Sequence, residues 1–268
     1  MSVDLVPDEL WERIAPLLPH HPARKHRNPG RLRVPDRVAL ADIVYVLRKG
    51  VAWRDVPSQV VGCSGVTSWR RLRDWTEAGV WPQLHQELLV ELRVAGLLEM
   101  DDCAIDAPTS GRSKGGACRA FAHRSRQARL QAPCDRRPTR YPAGRLPDRR
   151  KPARCHAVDP VLDAIAPIRG LRGRPRHRPK HLFADRGYDF DKYRRLLWKR
   201  GIKPLIARRG AAIGSGLGRT RWVVERTFAW LHQFKRLRIR YECRADLHQS
   251  LLELACSIIC LRRLCRSG

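Results

Sequence analysis

The chain has 268 residues, with 54 lysines and arginines against 26 aspartates and glutamates, which gives a formal net charge of +28. This length suffices for one large domain or two smaller ones with a hydrophobic core, and the charge predicts a polyanionic partner, most commonly nucleic acid. No apolar run reaches the length of a membrane span, and the first residues lack the pattern of a signal peptide, so we expect a cytoplasmic protein without a membrane partner.

The first 97 residues carry the spacing of helices and predict an all-α domain. Pro7 followed by two acids is typical of the start of a first helix, and Asp36 is expected to cap a second one. Apolar side chains three or four residues apart predict a third helix over residues 65–78 and a fourth over residues 82–98.

Three arginines of the predicted third helix, Arg70, Arg71 and Arg73, lie mostly on the faces away from its apolar stripe. In a helix-turn-helix domain, such a basic helix enters the major groove of DNA. In an ordinary helical bundle, the same side chains form a solvated basic face. The local sequence favours neither alternative, and these arginines are the candidate DNA-binding residues.

The rest of the chain alternates between strand and helix patterns, which predicts an α/β domain. Strands are expected over residues 98–106 and 182–185, and a helix over residues 189–198 leads into a further strand over residues 204–207. A strand–helix–strand order of this kind forms parallel strands whose carboxyl ends line a binding crevice. A long apolar helix is predicted over residues 245–264.

Three acids stand out in these predicted elements. Asp106 and Asp185 end strands, and Glu225 follows Arg221 by one helical turn. A few converging carboxylates can hold two Mg²⁺ ions, which stabilise charge on the attacking and leaving oxygens of a phosphodiester. Each acid also has a plain structural interpretation, a turn or loop cap for the aspartates and an ion pair with Arg221 for Glu225. Taken one at a time, these structural interpretations are favoured.

Four stretches carry specific motifs: residues 45–57 (YVLRKGVAWRDVP), 75–81 (WTEAGVW), 184–189 (ADRGYD) and 221–231 (RWVVERTFAWL). Together they resemble the DDE transposases of bacterial insertion sequences, most closely the insertion-sequence-five type, over residues 5–116 and 159–264. Two positions depart from the family pattern. Gly218 stands where a tyrosine is expected, and His232 stands where a lysine is expected, which puts auxiliary contacts in doubt.

The resemblance implies a helix-turn-helix-like domain over residues 1–97 and a ribonuclease-H-like catalytic domain over residues 98–268. It implies that the acids Asp106, Asp185 and Glu225 hold Mg²⁺, with Arg221 beside the last of them, in an enzyme that cuts and joins DNA strands. The implied partners are the terminal inverted repeats of the element and its target DNA. The implied place is the nucleoid of a bacterial cytoplasm, and a homodimer is one option for the assembly.

One segment, residues 117–157, differs from the rest in composition. It has 12 lysines and arginines against two acids, five prolines and a single β-branched residue. Strands favour β-branched and aromatic residues and exclude central prolines. The composition therefore predicts no strands at the place where a ribonuclease-H-like sheet needs its second and third ones. A basic arm that grips phosphates is one interpretation of the segment.

The genetic code offers a second interpretation of this segment. Codons for residues 126–133 and 141–151, read from their second base, permit strings that resemble this part of the transposase family. The hypothesis is a pair of compensating frameshifts near Ala117 and Val158, which the nucleotide sequence of the gene tests. In that case the strand ending at Asp106 loses its neighbour. The chain is then expected to fold poorly around the site and to have little or no transposition activity.

Three functions remain as alternatives. The first is an insertion-sequence transposase, inactive if the frameshift hypothesis holds. The second is a non-catalytic DNA-binding remnant that still recognises the ends of the element. The third is a nonspecific basic protein whose DNA affinity shows no sequence preference and falls steeply with salt.

Overall fold

The computed structural model of the chain describes part of its residues in full and a few further residues by their backbone only. Backbone and side chains are described for residues 5–20, 32–59, 62–98, 100–103, 162–163, 165, 167–170, 175, 177–184, 188–206, 208, 229–239 and 241–266. The backbone alone is described for residues 60–61, 104–106, 118–123 and 128–132.

The described elements are helices toward both ends of the chain, and five strands with one helix between the last two of them. In chain order the elements are α1 Asp8–Ile14, α2 Asp36–Lys49, α3 Ser58–Val61, α4 Gly65–Glu77, α5 Val80–Val94, β1 Asp102–Asp106, β2 Cys118–His123, β3 Ala128–Ala132, β4 His181–Ala184, α6 Asp191–Lys199, β5 Lys203–Ile206 and α7 Ala245–Leu264. Short 3-10 turns lie at Ala15–Leu17, Trp53–Asp55 and Lys235–Leu237.

The apolar stripes predicted from the helical spacing form the core of the helical part. On α5, the stripe Leu84, Leu88 and Leu92 is fully buried, and α5 packs along α7. Trp75 of α4 and Trp81 of α5 meet edge to face with ring centroids 5.9 Å apart. Burying large apolar side chains of this kind is worth about 1.5–3 kcal/mol each, which makes these contacts the main stabilisation of the helices.

Two details of the predicted helices are wrong. The fourth helix runs over Val80–Val94 rather than 82–98, because Gly96 at φ 68° takes up the left-handed conformation that closes a helix. Asp36 does not cap α2: it is the first helical residue, and the preceding Pro35 makes no side-chain capping bond. The Asp36 carboxylate instead lies within 3.5 Å of Arg33 and 3.4 Å of Arg71.

The strands form one five-stranded sheet in the order β3-β2-β1-β4-β5. β1 runs parallel to β4, and β4 runs parallel to β5, so the predicted parallel strands are confirmed. On the other side of β1, β2 pairs with it in the antiparallel sense, and β3 pairs with β2 in the same way. Apolar residues on β4 and β5, such as Leu182 and Ile206, are buried and anchor the sheet.

The expectation that residues 117–157 form no strands, and that β1 therefore has an open edge, is wrong. β2 and β3 lie within this segment and pair along residues 118–123 and 128–132. The physical reason is the position of the prolines. The first of the five is Pro133, directly after β3, so neither strand contains a residue that lacks a backbone donor.

The chain is divided into two compact units. The first, the helical unit, contains residues 1–97 and 226–268, and the second, the sheet unit, contains residues 98–225. The sequence-based division assigned residues 226–268 to the second domain, whereas their long helix α7 packs on α4 and α5. Within the described part of the chain, no helix is both long and apolar enough to cross a membrane.

Candidate active site and nucleic-acid interface

Two of the predicted acids belong in sequence to the carboxyl ends of β1 and β4: Asp106 is the last residue of β1, and Asp185 follows the last residue of β4. The parallel register pairs Ile105 of β1 with Ala184 of β4, and Asp106 is the last residue of β1. On the other side, Asp106 stands opposite Arg119 of β2. The residues Asp185, Arg221 and Glu225 lie outside the described part of the chain, as does the side chain of Asp106.

At the opposite end of the same ladder, a side-chain contact fixes the register. Asp102 and His181 are register partners, and Asp102 Oδ1 lies 2.8 Å from His181 Nδ1. The backbone N–H of His181 also donates to the carbonyl of Asp101 at 2.9 Å. A slip of one residue would move every side chain of the strand to the other face, so this anchor determines which residues follow at the far end. The pair was not predicted from the sequence, which placed Asp102 in the middle of one predicted strand and His181 just before another, whereas the two residues begin β1 and β4.

The chain that follows β4 is tied back to the sheet. Tyr188 is 1% exposed, and Arg194 of α6 donates to Asp189 at 2.6 Å and to the carbonyl of Ile206 at 3.1 Å. These bonds hold the start of α6 to the end of β5. They fix the chain only four residues beyond Asp185 in the sequence.

The three candidate DNA-binding arginines of α4 differ in their surroundings. Arg70 is exposed. The side chain of Arg71 is 11% exposed, with its Nε 3.4 Å from Oδ1 of Asp36 on α2. Arg73 donates to Asp74 at 2.7 Å and lies 5.8 Å from the ring centroid of Trp69. Of the three, Arg70 is the one whose charge has no carboxylate beside it among the described residues.

A buried polar cluster sets the position of α4 against α2. Asp42 of α2 is fully buried and accepts bonds from Ser68 of α4 at 2.7 Å and from the thiol of Cys63 at 3.0 Å. Burial raises the pKa of Asp42 and, helped by the nearby carboxylate, raises the pKa of Cys63 to about 11. The N-terminus of α4 is capped by Ser64, whose side chain accepts from the N–H of Thr67 at 3.4 Å. Nothing in the helical spacing pointed to this cluster.

The approach to α4 is a tight turn. Residues 62–64 separate the single-turn helix α3 from α4, and Gly62 has φ 101°. A side chain at this position would be strained by its backbone, and its Cβ would lie 2.9 Å from Val38 Cγ1. A three-residue turn that contains glycine is typical of helix-turn-helix motifs, although α3 is shorter than the usual first helix.

No group of three or more metal-binding side chains is found in the part of the chain whose side chains are described. Cys256 and Cys260 lie one turn apart on α7 and are both buried. Burial raises the pKa of Cys260, which keeps it in the protonated thiol form that binds metals poorly. The side chains of Asp106, Asp185 and Glu225 lie outside that part of the chain, so they stay predicted metal ligands.

Comparisons with known proteins agree on one family. Residues 6–85 match the model described as a putative transposase of the IS4/5 family, and residues 139–260 match the transposase DDE domain. Over 108 residues, 40% of this chain, it is 59% identical to a putative transposase for insertion sequence element IS402 of Burkholderia cepacia. Over the same length it is 50% identical to an uncharacterized 16.2 kDa protein of the same element and organism.

The matched stretch covers 51% of the first relative and 73% of the second. The chain therefore spans about half the length of the first curated relative that it matches. No solved structure matches the chain significantly.

Proposed function

The chain belongs to the IS4/5 family of transposases, and on that premise we propose that it binds the terminal inverted repeats of an insertion sequence and catalyses Mg²⁺-dependent cutting and joining of DNA strands. The two family matches carry the membership, together with a relative that is 50% identical and 73% covered. The single observation that supports the catalytic part is the parallel register that ends at Ile105 and Ala184.

This register bears on the acids because each of them follows one of the two residues. Asp106 comes directly after Ile105, and Asp185 directly after Ala184. Consecutive Cα atoms are about 3.8 Å apart across a trans peptide, so neither acid can lie far from that last pair. Neighbouring strands are about 4.8 Å apart, and this short spacing supports the proposal that the two carboxylates share one cation.

The donor set fits a hard divalent cation. Carboxylate oxygens are the ligands that Mg²⁺ prefers, and Asp106, Asp185 and Glu225 offer oxygen ligands only. When bound there, Mg²⁺ stabilises the negative charge on the attacking and leaving oxygens of the phosphodiester. The role of the two aspartates is to hold ligand oxygens on adjacent strands whose register the Asp102–His181 pair keeps in place. Arg221, one turn before Glu225, orients that carboxylate or meets a phosphate.

The order of the strands supports a ribonuclease-H-like fold for the sheet unit. Such a sheet requires a second and a third strand beside the strand that carries the first acid, and β2 and β3 occupy those positions. The second acid then follows the strand on the other side of β1. The sequence predicted an inactive chain because the strand that ends at Asp106 was expected to lack a neighbouring strand. β2 is that neighbour, so this argument against activity no longer applies.

The helical unit is proposed to recognise DNA through α4. Gly62 and the three-residue turn before α4 support a helix-turn-helix-like arrangement, with Arg70 on the open face. Arg73, partly neutralised by Asp74, is a second contact. Arg71 has a structural role in this proposal, because its guanidinium faces Asp36 on the neighbouring helix.

The catalytic proposal is tested by measuring cleavage of a labelled DNA duplex. The duplex carries the terminal repeats of the element, which flank the gene. With Mg²⁺, the purified protein is expected to cut at the repeat end. Asp185→Asn should lower the rate by about 1,000-fold or more, because losing a metal ligand forfeits several kcal/mol of charge stabilisation. Asp191→Asn, an exposed acid in the first turn of α6, is the matched control and should cut normally. Cleavage that survives Asp185→Asn, or that needs no divalent cation, contradicts the proposal.

A non-catalytic remnant that binds the element ends is the second candidate function. It is favoured by one observation: the DDE-domain match begins at residue 139, beyond β1, β2 and β3. The frameshift hypothesis for residues 117–158 predicts the same outcome. Binding of the repeat duplex without cleavage in Mg²⁺ or Mn²⁺ identifies the remnant. A nucleotide sequence whose offset frame contains stop codons, or lacks the family strings, excludes the frameshift.

A further inference from the structure

A group of cations at one end of the helical unit has no part in the roles proposed above for α4 and for the three acids. It consists of side chains from three parts of the chain: Arg48 and Lys49 in the last turn of α2, Lys235 in a 3-10 turn, and Arg262 in the last turn of α7 with Arg266 just beyond it. We call this group the C-terminal basic face. Lys49, Lys235, Arg262 and Arg266 are exposed, and Arg48 is half-buried.

Close backbone packing brings the three elements together. Gly50, which ends α2 with φ 75°, approaches the 3-10 turn so closely that a Cβ at this position would lie 2.9 Å from the Cβ of Lys235. Arg236, the next residue in that turn, donates to the carbonyl of Val51 at 3.0 Å. The guanidinium of Arg262 lies 6.0 Å from the ring centroid of Phe234, which is buried beside the same turn. The face is therefore held on a rigid base.

The cations of this face lie close enough to repel one another, and the described part of the chain places no acid beside the arginines. Among the residues with described side chains, none of Arg48, Arg262 and Arg266 has a carboxylate within 4.0 Å. The Nε atom of Arg48 is buried and has no hydrogen-bond partner in that part of the chain. Burial and then the charge of Arg262 lower the pKa of Arg48, and burial and then Arg266 lower the pKa of Arg262.

The dipoles of α2 and α7 account for part of this arrangement only. A cation in the last turn of a helix is stabilised by the free carbonyls there. That effect operates within one helix, so it does not explain why the ends of two helices place the cations Arg48 and Arg262 close to one another. A bound anion does give such a reason, because it would offset both the mutual repulsion and the unpaired Nε of Arg48.

We propose that the C-terminal basic face binds the phosphate backbone of duplex DNA, as a contact separate from α4. The inference rests on the proposed function, since it takes DNA as the partner. The distance between the two regions favours a polymer over a small anion. The first turn of α7 adjoins the end of α4 through the Arg244–Glu77 pair at 3.3 Å. Arg262 follows Asp246 by 16 residues, which is about 24 Å along the helix or about seven base pairs of duplex.

The salt dependence of DNA binding by the full chain tests this proposal. The triple variant R48Q/R262Q/R266Q should bind the repeat duplex and an unrelated duplex more weakly by the same factor, because backbone contacts carry no sequence information. Its plot of log affinity against log salt concentration should be shallower by about 2 to 3 units, since each lost phosphate contact removes about 0.9. The variant R37Q/R54Q/R244Q is the matched control. It removes the same charge from the same unit, but each of its arginines lies beside a carboxylate.

The outcomes separate the two proposals. Wild-type protein that binds neither duplex contradicts the proposed function itself. Wild-type protein that binds, with an unchanged affinity and salt slope in the triple variant, overturns only the role of this face. So does a triple variant that loses affinity for a structured RNA but keeps its affinity for duplex DNA. Circular dichroism of each variant checks the fold, and the single change R266Q, in an exposed side chain beyond α7, gives the same test with no packing at risk.

Discussion

Two arginine-rich regions of the helical unit, α4 and the C-terminal basic face, differ in the charged groups that lie beside their arginines. On α4, Arg71 faces Asp36 and Arg73 donates to Asp74, so two of its three arginines have a carboxylate beside them. On the C-terminal basic face, Arg48 and Arg262 have like charges as neighbours instead. The net charge of +28 describes the whole chain and does not distinguish the two regions. The carboxylates close to each arginine determine which arginines are available to a phosphate.

The largest effect is expected where an arginine is paired and fully buried. Arg236, with a side chain 6% exposed, donates to Glu242 at 2.6 Å and lies 4.7 Å from the ring centroid of Tyr241. Arg236→Met should lower the free energy of unfolding by about 3–5 kcal/mol, because Glu242 is left as an uncompensated buried charge. Urea denaturation measures the change.

Two further variants sharpen this first prediction. Arg262→Met, on the basic face, should change the free energy of unfolding by less than about 0.5 kcal/mol, as expected for an exposed site. The double change Arg236→Met with Glu242→Leu should recover much of the loss, because it removes both charges. Equal losses for Arg236→Met and Arg262→Met would break the distinction between paired and unpaired arginines.

Low pH offers a second way to compare the two regions. It protonates carboxylates, so it removes negative charge beside the arginines of α4 and leaves the arginines of the C-terminal basic face charged.

His85 limits how far the pH can be lowered before the fold loses stability. It is 6% exposed on α5, and burial lowers its pKa from 6.5 to about 4. The neutral form is therefore favoured in the fold, and its stabilisation is present above pH 6.5 and lost as the pH falls toward 4.

From pH 7.5 to pH 5, His85 should lower the free energy of unfolding by about 2 kcal/mol. The stability of wild type relative to His85→Leu, measured by urea denaturation at both pH values, should fall by that amount. A relative stability that does not change with pH would mean that His85 gains a proton in the fold as readily as in the unfolded chain.

The smallest expected effects distinguish the arginines within α4. Arg71→Gln should lower the free energy of unfolding by about 1 kcal/mol through its lost partner Asp36, and should leave DNA affinity unchanged. Arg70→Gln should do the reverse: unchanged stability, and DNA affinity weaker by about 1 kcal/mol, roughly fivefold. Thermal unfolding and fluorescence anisotropy of the two variants make the comparison. If Arg71→Gln loses DNA affinity and Arg70→Gln does not, then Arg71 contacts the DNA, and the assignment of that contact to Arg70 is wrong.

The sequence predicted what depends on local spacing and missed what depends on distant partners. The bounds of α7 followed from the periodicity of apolar residues, and the parallel pairing of β4 with β5 followed from the strand–helix–strand order of the elements. The Asp42–Cys63–Ser68 cluster did not, because its members are separated in the sequence and each alone resembles an ordinary polar residue.

Composition gave a wrong prediction in one place. A segment average over residues 117–157 predicted no strands, whereas its prolines all lie after β3. The acids Asp106, Asp185 and Glu225 stay a prediction. The register fixes the backbone positions of Asp106 and of the residue before Asp185, and a motif supplied the assignment of their chemistry.

The order of the strands along the chain has a consequence for synthesis. β1, β2 and β3 fall within residues 102–132, whereas β4 begins at His181. During translation the first three strands can pair soon after they emerge, but the second edge of β1 waits for about 50 further residues, roughly 3 to 10 s at usual elongation rates. An open strand edge pairs readily with other chains. The fraction of chains that reach the native state should therefore depend on how fast the ribosome crosses that stretch, and on how many nascent chains are near one another while it does.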